Sequence, residues 1–152
     1  MNIINSFQGE YRFLSNFYIT PIIINGKEYA SVEHWYQSEK SSDQKQKEQI
    51  RLAPTPGVAK RMGSPKGISN FKIILRPDWD IIQIGIMLAG IDKKFDIPEM
   101  KNKLIKTGDS ILIEGNTWHD NFWGSCSCEN CKKYKKHNIL GGLLMGIRSR
   151  LR

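Results

Sequence analysis

Helical spacing runs through most of this chain, and nearly every helical stretch is opened or closed by a residue suited to that place. Ser31 can cap a helix running to about Lys40, and Asp43 can cap another through Leu52, ended by Pro54 and Pro56. Gly57 to Met62 reads as a short helical turn closed at Gly63. Asp80 opens the clearest helix, with Ile81, Ile84, Gly85, Leu88 and Ile91 spaced as its core face. Pro98 suits the first turn of a helix ending near Gly108, and Leu140, Leu143, Leu144, Ile147 and Leu151 form one C-terminal stripe. Strand signals are few. Phe17 to Ala30 reads as a hairpin, because Ile22, Ile23 and Ile24 run into Asn25-Gly26, a dipeptide that supplies positive φ for a tight turn. Ile111-Leu112-Ile113 is a short buried strand. The expected fold class is α+β: one helix-rich domain over residues 1–152 with a small antiparallel β component.

A chain of 152 residues can bury a core without disulfides or metal. No apolar run approaches the ~20 residues that span a bilayer, so no membrane partner is expected. Met1 to Glu10 lacks the basic and apolar regions of a signal peptide. Three cysteines close together make a poor disulfide framework, and the expected location is cytoplasmic. The net charge of +8 is uneven: residues 126–152 hold seven Lys/Arg against one acid, Glu129. Such an end suits an anionic partner (phosphate, nucleotide or nucleic acid) and equally suits a solvated surface.

Four segments carry residues able to do chemistry. In the Ser31–Lys40 helix, Val32, Trp35 and Tyr36 share a core face, while Glu33, Gln37 and Lys40 share a neighbouring one at spacings of four and three. A carboxyl beside an apolar face can act as a general acid; the pattern is also that of a polar flank. The second segment, Glu114 to Gly124, has no helical or strand period. Its Trp118, Phe122 or Trp123 can stack on a base, and Glu114 or Asp120 can handle protons. In the third, Cys126, Cys128 and Cys131 suit zinc, with His119 and His137 both open as fourth ligand. In the fourth, Asn138 is placed to cap the last helix, whose start can attract phosphate, with Lys135 and Lys136 just before it.

Read in order, these segments resemble the NADAR family, whose best described branch is the YbiA-like N-glycosidases of riboflavin intermediates. Leu14-Ser-Asn-Phe17 resembles the family's N-terminal motif, and Ser31-Val-Glu-His-Trp-Tyr-Gln-Ser-Glu-Lys40 its Glu-His-aromatic-aromatic-Gln-x-x-Lys helix. Arg76-Pro-Asp-Trp79, Met87 and Lys94-Phe95 resemble the middle section. Thr107-Gly-Asp, Leu112-Ile-Glu114 and Asp120-Asn-Phe-Trp-Gly124 resemble the next block; Asn138-Ile-Leu-Gly, Leu143-Leu-Met145 and Arg148 resemble the last. One stretch departs: where YbiA-like members are glycine-rich after Trp-Gly, Ser125 to His137 holds three cysteines and four lysines.

The resemblance implies an enzyme, a hydrolase of N-glycosyl bonds, with phosphorylated ribosylamino-pyrimidines as small-molecule substrates. Two alternatives are an ADP-ribosyl-guanine glycohydrolase acting on modified nucleic acid and a non-catalytic module that binds ADP-ribose or nucleic acid. Glu33, Lys40 and Asp120 are the catalytic candidates, with Lys40 either a cation or a Schiff-base amine. Ser15, Asn16, Trp123, Gly124 and Asn138 are expected to bind substrate, and Arg12, Arg61 and Lys66 to meet phosphate. No cofactor is expected for catalysis; Cys126, Cys128 and Cys131 can hold a structural zinc or stand as three reduced thiols.

Overall fold

The computed structural model describes every residue from Met1 to Arg152. In chain order it contains β1 (Ile3–Ile4), a 3-10 helix (Gly9–Leu14), β2 (Ile22–Ile24), β3 (Lys27–Tyr29), α1 (Val32–Glu39), α2 (Gln44–Arg51) and α3 (Pro56–Met62). There follow α4 (Trp79–Asp96), α5 (Pro98–Lys106), β4 (Ile111–Leu112), β5 (Gly115–Asn116), β6 (Ser125–Cys126), a second 3-10 helix (Glu129–Cys131) and α6 (Ile139–Leu151). This is the expected helix-rich α+β class. Its β component is only partly antiparallel: β2 and β3 form the antiparallel hairpin, while β1–β4 and β5–β6 are parallel pairs. Parallel partners must come from distant sequence, so local turn signals do not announce them. No helix is long and apolar enough to cross a membrane.

The chain forms two compact units, a contiguous one, Asn16–Lys94, and a two-segment one, Met1–Ser15 with Phe95–Arg152. In the contiguous unit, Asn25 and Gly26 take positive φ (53° and 76°) and close the hairpin as their side chains allow. Ser31 caps α1 by accepting from the His34 N–H, and Asp43 caps α2 through the Gln46 N–H. Ile50, Ala59 and Met62 join α2 and α3 in a small apolar cluster completed by Val58, Ile68 and Phe71.

The helix α4 differs from its expected form in two ways. It starts at Trp79, so Asp80 lies inside its first turn rather than before it. Its buried face is also rotated: Ile81 is 85% exposed and Ile84 and Leu88 are exposed too, whereas Met87, Gly90 and Ile91 are buried. The rotation follows from contact with α1. The Trp35 indole donates to the Ile86 carbonyl (2.8 Å), and a Cβ at Gly90 would lie 2.6 Å from the Trp35 ring. Both stripes have helical spacing, and only the partner helix selects between them.

In the two-segment unit, α6 buries Leu140, Leu144 and Ile147, as its stripe requires. A Cβ at Gly141 would lie 2.1 Å from the Leu112 carbonyl oxygen, so glycine lets α6 start against β4. Arg148 is buried and donates to Thr107 Oγ1 (2.7 Å) and the Ser110 carbonyl (2.8 Å), tying α6 to the turn after α5.

The rotated face of α4 has a direct test by chemical denaturation. Met87→Ala is expected to destabilise by about 2–5 kcal/mol, as for other buried large-to-small changes. Ile81→Ala is expected to stay within about 0.5 kcal/mol of wild type, as an exposed change should. The reverse order would restore the face that spacing alone suggested.

Candidate functional site

Helix α1 is buried along Val32 to Ser38, its polar positions included. Glu33, expected on a polar flank, is only 6% exposed. One turn on, the Gln37 carboxamide donates to Glu33 Oε1 (2.7 Å), fixing which end of the amide faces the carboxylate. The Gln37 oxygen is buried with no hydrogen-bond partner and lies against Gly63, where a Cβ would come within 1.9 Å of it. The Glu33 N–H donates to the Asn16 carbonyl (3.1 Å). Asn16 Nδ2 is spent on Met87 Sδ (3.2 Å), and its Oδ1 is buried without a partner. His34 has a structural role: Nδ1 meets Ser31 Oγ (2.7 Å) and Nε2 the Ala53 carbonyl (3.0 Å). Burial holds its pKa below the ordinary imidazole value against the pull of the Ala53 bond.

Lys40 closes α1. Its ammonium lies 5.2 Å from the Tyr36 ring centre and 6.0 Å from that of Trp79, and it reaches toward the Gly63 carbonyl. Burial pushes its pKa down, the nearby Glu33 charge pushes it up, and the like charge of Lys60 pushes it down again. Glu33, Gln37 and Lys40 thus meet as the spacing suggested, with Asn16 beside them. Lys60 was missed; its place next to Arg61 near the end of α3 is the only sequence signal for it. Lys60 Nζ stands 5.7 Å from the Phe17 ring centre, and Lys60 and Arg61 are both exposed. Lys66 is exposed in the turn after α3.

In the two-segment unit, Asp120 lies in the Asn116–Gly124 loop. Its Oδ1 accepts from the N–H groups of Phe122 (3.1 Å) and Trp123 (2.9 Å), so this carboxylate also shapes the turn. Asn116 clamps Asp120 from both sides, accepting its N–H (3.1 Å) and donating to its carbonyl (2.8 Å). Trp123 is half-buried and edge-on to Phe122, ring centres 5.0 Å apart. Gly124 is required where it stands, since a Cβ there would lie 2.2 Å from the Glu114 carbonyl oxygen.

Asn138 precedes α6 but does not cap it with its side chain. Its backbone is left-handed (φ 47°), and the side chain instead accepts from the Glu114 N–H (3.0 Å) and donates to the Leu112 carbonyl (2.9 Å). Arg12 is exposed and bonds to Gln8 Oε1 (3.3 Å); the Ser15 N–H closes the first 3-10 helix on the Arg12 carbonyl.

The cysteine segment gathers a group of ligand atoms able to hold a metal ion. Cys126, Cys128, Cys131 and His119 bring their sulfurs and a ring nitrogen within 4.8 Å of one another. This chooses His119 between the two histidines. His137 is exposed, its N–H bonded to the Asn121 carbonyl.

A buried carboxylate and amide on α1, with the half-buried Lys40 amine at its end, gather polar groups of the kind an enzyme uses. The chain belongs to the NADAR family, whose NADAR domain matches residues 5–152. It is 34% identical over 143 residues to N-glycosidase YbiA of Escherichia coli (strain K12), covering 93% of this chain and 82% of that one. It is 36% identical over 146 residues to N-glycosidase Npun_R5314 of Nostoc punctiforme, covering 93% and 86%. With riboflavin biosynthesis protein VVA0006 of Vibrio vulnificus it shares 30% identity over 140 residues, covering 91% of this chain but 35% of that protein. The NMR structure of E. coli YbiA superimposes with a TM-score of 0.79 at 32% identity, covering 99% of this chain and 84% of that one.

Gly63→Ala tests the Glu33–Gln37 pair. Alanine suits the Gly63 backbone (φ −79°), but its methyl takes the space of the Gln37 oxygen. The expected result is a shifted Gln37 side-chain amide resonance and a stability loss of about 1–3 kcal/mol, as for other overpacked interiors. An unchanged resonance would place Gln37 elsewhere.

Proposed function

We propose that this chain is a cytoplasmic N-glycosidase that hydrolyses the bond between C1′ of a phosphorylated ribose and a pyrimidine-borne nitrogen, working as a single domain. Its similarity to proteins named N-glycosidases and to a riboflavin biosynthesis protein supports the substrate class of ribosylamino-pyrimidine phosphates. The observation that carries the reading is the Glu33 carboxyl, 6% exposed, bonded to Gln37 Nε2 (2.7 Å) and near enough to Lys40 to raise its pKa.

Glycoside cleavage builds positive charge on the sugar ring, and a carboxylate near C1′ stabilises it while an acid protonates the departing nitrogen. Glu33 and Asp120 are the carboxyls proposed for these tasks. Lys40 and Lys60 gather positive charge that a phosphate would offset, with Arg61 near by in sequence. Ser15, Trp123, Gly124 and Asn138 are proposed as substrate contacts by their motif positions, and Arg12 as a phosphate contact. The His119–cysteine group is proposed to take a structural zinc, since four protein ligands leave no open position for substrate.

The basic C-terminal segment is less available to a nucleic acid than its charge suggests. Lys132 pairs with Glu129 (2.8 Å), Arg152 pairs with Asp109 (2.6 Å), Arg148 is buried, and Lys136 donates to the Cys131 carbonyl.

Incubation with ribosylamino-pyrimidine phosphates, and separately with DNA carrying ADP-ribosylated guanosine, tests the function. Release of the base from the small substrate is expected, with a loss of at least ~100-fold in Glu33→Gln at unchanged folding. Turnover of the DNA alone would move the substrate to modified nucleic acid, and binding without turnover of either would make the chain a binding module.

Lys40→Arg separates the two roles of the lysine, because arginine keeps the charge and forms no Schiff base at neutral pH. If Lys40 attacks C1′, borohydride traps sugar on the wild type and none on the variant. No adduct on either would leave Lys40 as the cation beside Glu33.

A further inference from the structure

We propose that His119, Cys126, Cys128 and Cys131 bind one zinc ion, and that this ion pins the loop carrying Asp120. The second half rests on the catalytic role proposed for Asp120; the first half does not.

The ligands come from four places in one fold. His119 lies in the turn after β5, Cys126 on β6, Cys128 just before the second 3-10 helix, and Cys131 at its end. The three thiols are free. His119 Nδ1 lies 3.3 Å from Cys128 Sγ and 3.3 Å from Cys131 Sγ, and all four ligand atoms fall within 4.8 Å of one another. Around a tetrahedral zinc, bonds of ~2.3 Å to sulfur and ~2.0 Å to nitrogen set ligand atoms roughly 3.5–3.8 Å apart. The group therefore needs only small side-chain movements to close on the ion. His119 also holds a left-handed backbone (φ 71°), uncommon for a residue with a Cβ and one that a metal bond would fix.

Asp120 is the next residue, and the hydrogen bonds around it run to the ligand-bearing strand. Asn116, which holds the Asp120 backbone on both sides, is the register partner of Cys126. Asn121 Oδ1 accepts from the Cys126 N–H (3.0 Å). The Ser127 N–H donates to the Asn116 carbonyl (2.9 Å). Asp120 thus lies inside a knot whose remaining cross-link is the one the four ligands would make. His119 is a positioning residue in this scheme: it touches the metal and fixes its neighbour.

Protein made without a histidine tag should carry about one zinc per chain by elemental analysis. Cobalt put in its place should show the strong visible absorption of a tetrahedral thiolate site. Chelation should lower the melting temperature and speed amide exchange across residues 116–124. His119→Cys, which keeps four ligands, should retain metal and slow exchange, whereas His119→Ala should lose both. In turnover, His119→Ala should lower kcat ~10–100-fold, with KM less affected, and His119→Cys should restore it. Protein that carries no zinc, takes up no cobalt and melts unchanged with chelator would overturn the site. Stoichiometric zinc with unchanged exchange in residues 116–124 after its removal would overturn the pinning. Metal content, cobalt spectrum and exchange are read without any substrate, so a failed N-glycosidase assay leaves them decisive.

Discussion

Burying one face of a helix asks only for apolar residues on that face; burying α1 on every side asks for a partner for each polar group as well. Glu33, His34, Gln37 and Ser38 all lie inside. Each would cost about 1–3 kcal/mol if left unpaired. The contiguous unit is arranged around meeting that demand. His34 reaches back to Ser31 and forward to the Ala53 carbonyl, fixing the chain after α2. Ser38 returns to the Trp35 carbonyl, and Trp35 crosses to α4. Gln37 serves Glu33, and Gly63 leaves room for it. Two acceptors are left over, Asn16 Oδ1 and Gln37 Oε1, both buried without a partner.

This arrangement explains what could be read from the residues and what could not. Caps and turns act over three or four residues, so Ser31, Asp43, Asn25-Gly26 and the Pro98 helix start were legible. Which apolar stripe of α4 faces inward depends on Trp35 and Gly90 meeting across helices, and no periodicity within α4 carries that information. Lys94 is a sharper case. A lysine near the end of a helix reads as a solvated charge, yet it is 1% exposed, with burial lowering its pKa to about 7. The grouping of Glu33 with Lys40 was visible as spacing on one helix. Lys60 was not, because it arrives from another helix.

In the two-segment unit, short strands stand in for a sheet. Pairs of two residues are far too small to persist alone. They hold because side chains lock their ends: Asn138 joins β4 to the start of α6, Arg148 ties α6 to the turn before β4, and Asn116 and Asn121 join β5 and β6 to the Asp120 loop. Asn138 shows how a correct position can conceal a different task. It stands where a cap belongs, but its left-handed backbone turns the side chain toward β4.

The β1–β4 pair sets an order on synthesis. Ile3 and Ile4 are made well before their partners, since Ile111 and Leu112 follow more than a hundred residues later. All of the contiguous unit is made in between, and its contacts can form while β1 still waits. At about 5–20 residues per second, that wait lasts several seconds. The nascent chain therefore carries β1 unpaired while about a hundred residues are added, and the two-segment unit closes only after the contiguous one has been made.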